Sequence, residues 1–161
     1  FCSTRLAWER LPTARQAELQ DLIVEHAYFH SRDQIAPDLM TPEQRAAMPA
    51  VEWRMTWPNP KNGRRSLYIA SHAGAIRGMA NAEAKALLDE LRAEASAEGR
   101  TYLHRWQPGD VVMWDNRASM HRGRPWPADS ARKMVRTTIK ATTADGLAEV
   151  RPPATVAAAA E

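Results

Sequence analysis

The alternation of hydrophobic and polar residues predicts a β-hairpin near the middle of the chain. Trp53, Met55 and Trp57 alternate with polar neighbours, which is the period of a β-strand. The loop that follows, residues 58–63, ends in Asn-Gly, a turn signal, and residues 66–70 supply the return strand. Other short strands are predicted over residues 28–32, 102–106, 111–114 and 132–138.

Helical spacing of apolar residues predicts four helices. The longest covers residues 82–98, with Asn81 as its N-cap and Gly99 placed to end it. A second helix, over residues 14–26, follows a capping-box sequence and would place His26 at its C-terminal end, where a cation suits the helix dipole. Shorter helices are predicted over residues 4–11 and from Thr41 to just before Pro49.

Short strands, frequent turns and a few covering helices are typical of a mainly β domain, a β-sandwich or a jelly roll. A length of 161 residues fits one domain of ordinary size. The patterning stops after Lys140, so we expect the domain over residues 1–144 and a mobile tail over residues 145–161. Because the chain opens on Phe1 in the middle of a pattern, we also expect it to be a fragment.

Composition narrows the classes of partner. A formal net charge of +3 permits small anionic partners, but the basic residues are spread out, so nucleic acid is not indicated. Cys2 is the only cysteine, which excludes an intrachain disulfide and favours a reducing, cytoplasmic compartment. No apolar run approaches about 18 residues, so we expect no membrane-spanning helix. The sequence leaves open whether copies of this chain associate into a homo-oligomer.

The candidate chemistry lies in the stretch from Trp114 to Lys140. It holds His121, then ten residues, then Arg132, with Arg136 four residues further on. If residues 132–138 form a strand, both arginines lie on one of its faces. An imidazole suits Fe(II), Cu or Zn, and an arginine offers a planar fork to a carboxylate. The pattern therefore predicts a site for a metal and an organic acid, although a single histidine is more often a core or surface residue.

The sequence WDNRASMHR, followed by the His-x10-Arg spacing, resembles the C-terminal signature of the taurine dioxygenase family of Fe(II)/2-oxoglutarate-dependent oxygenases. The likeness extends over about residues 1–140 and includes FCSTRLAWERLP, VEH, HSR, AMPAV, GRRSLYIASHA and RTTI. It implies a double-stranded β-helix, or jelly roll, of which this chain would supply the C-terminal part. It also implies Fe(II) as cofactor and 2-oxoglutarate and O2 as cosubstrates.

The resemblance also implies roles for single residues. His121 matches the distal iron ligand, Arg132 the arginine that pairs with the far carboxylate of 2-oxoglutarate, and Arg136 a position facing the anionic group of the substrate. His72 is a further candidate for substrate binding, or it simply closes a loop. The likeness is greatest to members that hydroxylate phenoxyalkanoate acids such as 2,4-dichlorophenoxyacetate. The product then collapses to a phenol and a 2-oxo acid, with succinate and CO2 from the cosubstrate.

One part of the family pattern is missing. The family has a His-x-Asp pair on an earlier strand, and no histidine of this chain is followed by Asp two residues on. Asp115 is better explained as a strand-end residue that caps backbone N–H groups. We therefore expect the 161 residues alone to bind iron poorly and to be inactive. Two alternatives stay open, namely a family member acting on taurine or another small sulfonate or carboxylate, and a non-catalytic binding module.

Overall fold

Seven short strands and six α-helices make up residues 1–152, the part of the chain that this computed structural model describes. The strands are β1 Cys2–Ser3, β2 Ile23–His26, β3 Val51–Arg54, β4 Thr56–Pro58, β5 Arg65–Leu67, β6 Ala73–Ile76 and β7 Ser119–Met120. The helices are α1 Thr4–Arg10, α2 Thr13–Leu19, α3 Tyr28–Asp33, α4 Pro42–Ala47, α5 Asn81–Ala95 and α6 Leu147–Val150. Each of these helices is too short or too polar to cross a lipid bilayer.

The strands form three antiparallel sheets. β2 lies between β3 and β6, β4 pairs with β5, and β1 pairs with β7. The expectation of sheets flanked by helices is confirmed. Helices nevertheless outweigh strands over residues 1–152, and the sheets described do not close into a barrel. The jelly roll itself therefore stays a prediction.

Met55 divides the predicted strand over residues 53–57 in two. Its N–H donates to the Leu22 carbonyl at 2.8 Å, and its carbonyl accepts from the Tyr68 N–H at 2.6 Å. Leu22 precedes β2 and Tyr68 follows β5, so the chain passes at Met55 from pairing with β2 to pairing with β5. The predicted hairpin is confirmed beyond this point, where Thr56 pairs with Leu67.

The long helix α5 covers the central sheet and confirms the helix predicted over residues 82–98. It contacts β6 and α1 and buries a continuous apolar stripe. The stripe has helical spacing and consists of Ala84, Leu88, Leu91 and Ala95. Asn81 was expected to be the N-cap, but it is the first helical residue. Ala80 holds the cap position and has no side chain with which to cap the helix.

Two predictions between residues 14 and 33 are wrong. The predicted helix 14–26 ends at Leu19 in α2, and the chain then enters β2. β2 carries the β-branched pair Ile23-Val24 and pairs on both edges, so tertiary pairing overrides the helical spacing. His26 consequently lies in a buried strand and not at a helix end. The predicted strand 28–32 is instead the helix α3.

Residues 102–141 contain no strand other than β7, which contradicts the strands predicted over 102–106, 111–114 and 132–138. A period-2 pattern produces a strand only where a neighbouring strand can accept its hydrogen bonds and bury its apolar face. Among the described residues, Tyr102 pairs with Phe1, and the rest of these segments has no such neighbour. Val111, Met113, Val135 and Ile139 are accordingly about 90% exposed.

Residues 145–150, the first part of the predicted tail, have regular structure. After a short 3-10 turn over Thr143–Asp145, α6 follows and its Val150 is completely buried. The indole N–H of Trp57 donates to the Asp145 carbonyl at 2.8 Å and fixes this segment on β4. Residues 145–150 therefore pack against the rest of the fold, while the mobility of the tail stays a prediction. Residues 153–161 lie outside the described part.

Truncation of the α5 stripe should destabilise the fold. Leu88 is 1% exposed, so Leu88→Ala should lower the free energy of unfolding by about 2–5 kcal/mol, through lost burial and a residual cavity. The adjacent Leu87 is only partly buried, and Leu87→Ala is the matched control with a smaller loss. Urea unfolding of both variants tests this. Equal losses would show that α5 does not pack as described.

Candidate active site

His121 lies directly after β7 and packs against two aromatic rings. Its ring stacks on Phe1 at a centroid distance of 5.8 Å and lies 4.8 Å from the ring of Trp114. Phe1 is brought there because β1 pairs with β7, with Cys2 opposite Met120. The residue is exposed overall, but these rings cover the imidazole on the protein side.

A tight turn before β7 brings Trp114 and His121 together. The Asp115 carboxylate accepts from the backbone N–H of Arg117 at 2.9 Å and from the Arg117 guanidinium at 2.9 and 3.0 Å. The Ala118 N–H donates to the Asp115 carbonyl at 3.1 Å. The structural role predicted for Asp115 is confirmed, because its carboxylate is occupied within its own turn.

The pKa of His121 lies below the ordinary value of a histidine. Partial burial of the ring is the largest cause, followed by the positive charge of Arg136 and then by the ammonium group of Phe1. The imidazole is therefore neutral at pH 7, which is the form that binds a metal. The charge of Arg136 is therefore close enough to lower the pKa of His121.

Arg132 takes a different position from the one predicted. Its guanidinium lies 4.5 Å above the centre of the Trp126 ring, as a cation–π pair. The expectation that Arg132 and Arg136 share one strand face is wrong for the described structure, because residues 131–140 have no strand geometry. The charge of Arg136 thus acts on His121, and Arg132 is held against Trp126.

His72 belongs to a second cluster of aromatic side chains. Its ring lies 5.0 Å from that of His26, which in turn lies 5.2 Å from Tyr68. Burial, then the charges of Arg92 and His30, lower the pKa of His72. None of these side chains also contacts His121. The role of His72 in substrate binding therefore stays a prediction, apart from the motif that contains His121.

His26 is the residue of this cluster that the sequence prediction missed. It is 4% exposed, and within residues 1–152 neither of its ring nitrogens has a hydrogen-bond partner. Burial lowers its pKa to about 3, with further contributions from His72 and His30. The β-branched pair before it was the signal that could have placed it in a strand.

His30 closes the other side of the cluster. It hydrogen-bonds to the Glu25 carboxylate at 2.9 Å, and its ring lies against the backbone of Gly74. The contact is so close that a Cβ atom at position 74 would overlap the imidazole. Gly74 is thus required by the close approach of α3 to β6.

The described residues do not form a metal site by themselves. Over residues 1–152 there is no group of three or more His, Cys, Asp or Glu side chains arranged around a common point. His121 offers one neutral imidazole, and the carboxylate of Asp115 is engaged by Arg117. A structural or catalytic metal needs at least three protein ligands as a rule, so the fit is partial.

Residues 1–138 match the model of the taurine catabolism dioxygenase TauD, TfdA family. The chain belongs to this family. The resemblance recognised in the sequence is therefore confirmed.

Similar family members include an alpha-ketoglutarate-dependent 2,4-dichlorophenoxyacetate dioxygenase from Cupriavidus pinatubonensis, 39% identical over 86% of this chain and 48% of the relative. An (S)-phenoxypropionate/alpha-ketoglutarate-dioxygenase from Sphingobium herbicidovorans is 30% identical over 86% of this chain and 50% of the relative. The chain therefore spans about half the length of these curated relatives.

A crystal structure of AAD-2 in complex with Mn(II) and N-oxalylglycine superimposes with a TM-score of 0.77 at 35% identity. The superposition covers 82% of this chain and 52% of that chain. The fold of the described residues is thus that of part of a TauD, TfdA family domain.

The charge of Arg136 should be measurable in the titration of His121. Arg136→Ala should raise the pKa of His121 toward the ordinary value of about 6.5, because a like charge is removed. Arg132→Ala is the matched control and should leave this pKa unchanged, since Arg132 lies over Trp126. The shift of the His121 Hε1 proton against pH gives both values. An unaltered pKa in Arg136→Ala would contradict the proximity.

Buried His26 should make the protein sensitive to acid. Between its folded pKa of about 3 and an unfolded value of about 6.5, the unfolded chain binds a proton that the folded chain does not. Stability is therefore present above pH 6.5 and is lost as the pH falls. Between pH 7 and pH 5 the wild type should lose about 2 kcal/mol more than His26→Phe. Urea unfolding at both pH values tests this, and equal losses would refute it.

Proposed function

We propose that this chain is the C-terminal part of an Fe(II)/2-oxoglutarate-dependent dioxygenase that cleaves the ether bond of phenoxyalkanoate acids such as 2,4-dichlorophenoxyacetate. The proposal is supported by a neutral His121, whose pKa is lowered by burial and by the charge of Arg136, in a chain of this family. The motif would then supply an imidazole suited to a metal and a guanidinium suited to an organic acid.

His121 would supply one iron ligand, and the other two would come from outside the described residues. Phe1 and Trp114 hold its ring in place, so its orientation is set before a metal arrives. Arg136 would bind the carboxylate of the substrate. Arg132 would pair with the far carboxylate of 2-oxoglutarate, and its stacking on Trp126 leaves the edge of the guanidinium open for that contact.

The proposed reaction consumes the acid, 2-oxoglutarate and O2, and it yields succinate, CO2, a phenol and a 2-oxo acid such as glyoxylate. Iron with its cosubstrate supplies the oxidising chemistry, which places a hydroxyl group on the carbon beside the ether oxygen. The resulting hemiacetal loses the phenol. The residues of this chain bind and orient: Arg136 fixes the carboxylate, and His72 is proposed as a further hydrogen-bond donor to the substrate.

The relatives favour the phenoxy acid over the alternative of a sulfonate or another small anion. Two 2,4-dichlorophenoxyacetate dioxygenases match at 39% and 40% identity, whereas an alkylsulfatase matches at 23%. Arg136 by itself would suit either anion, because a guanidinium pairs with both. The substrate therefore needs a direct test.

The test uses the longer protein of which we propose this chain is a part. Succinate and phenol release from 2,4-dichlorophenoxyacetate are measured with Fe(II) and 2-oxoglutarate. His121→Ala should abolish both products. Arg136→Ala should lower kcat/KM for the phenoxy acid by about 10- to 100-fold, because a charge-assisted hydrogen bond is lost. Arg10→Ala removes an exposed arginine of α1 and is the matched control with unchanged activity.

Each other outcome decides a different part of the proposal. If succinate formation is lost in His121→Ala but the wild type releases no phenol from any phenoxy acid, the proposal of a dioxygenase stands and the proposed substrate is wrong. If the protein forms no succinate with any acid and His121→Ala changes nothing, the proposal of a dioxygenase is wrong and the alternative of a non-catalytic binding module takes its place. Succinate formation by the 161 residues alone would contradict the incomplete metal site.

A further inference from the structure

A groove of about 320 Å³ lies between α3, α4 and the loop that joins them. Its size falls at the lower end of the range typical of small-molecule sites. None of its residues belongs to the surroundings of His121 or of His72. It is lined by Tyr28, Arg32, Leu39, Met40, Gln44 and Met48.

The walls of the groove are apolar and open to water. Tyr28, Leu39 and Met48 are between 41% and 49% exposed, while Met40 at the base is 6% exposed. Scattered exposed apolar residues are ordinary, but here three of them surround one concavity. Methionine side chains adapt readily to the shape of an aromatic or alkyl group. The walls therefore suit the apolar body of a small ligand.

Arg32 supplies a charge at the edge of this groove. It lies one helical turn after Tyr28 on α3, and its guanidinium is 4.4 Å from the centre of the Tyr28 ring. Within residues 1–152 Arg32 forms no ion pair, whereas Arg45 nearby pairs with Asp33 at 2.6 Å. Stacking on the ring leaves the in-plane N–H donors of Arg32 free. The negative charge of Asp33 is offset by its own partner.

We propose that this groove binds a small amphiphilic carboxylate of the size of an aryloxyacetate, at a site separate from His121. The carboxylate would pair with Arg32, and the aromatic body would lie against Leu39, Met40 and Met48. A single planar guanidinium matches a singly charged carboxylate in a bidentate manner, and the apolar walls disfavour a strongly hydrated anion. The site goes beyond the proposed function, since it needs neither metal nor cosubstrate.

The test is a titration with phenoxyacetate of the longer protein of which we propose this chain is a part, labelled with ¹³C at the methionine methyl groups. The methyl signals of Met40 and Met48 should shift and saturate, because the aromatic ring lies beside them. The buried Met55 lies outside the groove, so its signal should not move and reports on the fold. Phenoxyethanol, a neutral analogue of similar shape, should bind more weakly.

Variants decide whether Arg32 is responsible. Arg32→Ala and Arg32→Gln should each weaken phenoxyacetate binding by about tenfold, because a charge-assisted hydrogen bond is lost. Arg10→Ala removes the same charge elsewhere and should change nothing. Arg136→Ala should also leave the groove signals unchanged, so a failure of the proposed function does not affect this result.

Three outcomes would overturn the site. In the first, the signals of Met40 and Met48 do not shift with phenoxyacetate. In the second, phenoxyethanol binds as tightly as phenoxyacetate. In the third, both Arg32 variants bind phenoxyacetate as tightly as the wild type while the Met55 signal shows an intact fold. Loss of the groove shifts in Arg136→Ala would likewise show that the acid binds elsewhere.

Discussion

The pairing of β1 with β7 is the contact on which the candidate site depends. It joins Cys2 to Met120 across almost the full length of the described chain. On its other side, Phe1 exchanges two hydrogen bonds with the backbone of Tyr102, at 2.7 and 2.8 Å. The first residues therefore hold together two distant segments that have few other backbone partners. The position of the Phe1 ring on His121 follows directly from this register.

A polar network fixes the turn before His121 to the rest of the fold. Arg117 donates to the carboxylate of Asp115 and, at 2.9 Å, to that of Asp145. Its carbonyl accepts from the hydroxyl of Ser66 on β5, and the Asp145 carbonyl accepts from the Trp57 indole. Through its guanidinium and its carbonyl, Arg117 thus connects the motif, the β4–β5 hairpin and the segment before α6. Charge-assisted hydrogen bonds of this kind are stronger than neutral ones. Because the bonds form one network, each of them helps to hold the other side chains in place.

Local signals in the sequence predicted the elements that are decided locally. α4 begins where the sequence at Thr41 predicts a helix start, the apolar stripe produces α5, and Asp115 caps its turn. These features depend on residues three or four positions apart, and a sequence pattern reports them well. The capping box expected at the start of α2 is absent, since Pro12 holds the cap position.

Features that depend on distant partners were not predicted correctly. The sequence of β2 has helical spacing, but β2 forms a strand because it pairs with β3 and β6. Residues 132–138 have the alternation of a strand, but no described strand lies beside them. The same limit applies to the site. The sequence identified His121 and Arg136, and the charge of Arg136 acts on His121 in the structure. The sequence could not show that Arg132 stacks on Trp126. Nor could it show that His26 is buried beside His72, since that depends on the strand pairing.

The contact between His30 and Gly74 has a consequence for the evolution of this protein. A side chain at position 74 has no room while an imidazole occupies the space beside it. The two positions are therefore epistatic: a methyl group becomes tolerable at position 74 only after residue 30 has become smaller. Homologous sequences should show this order of change as covariation, with glycine retained wherever a bulky ring is retained. Covariation of this pair would reflect the packing of α3 on β6 and not a role in catalysis.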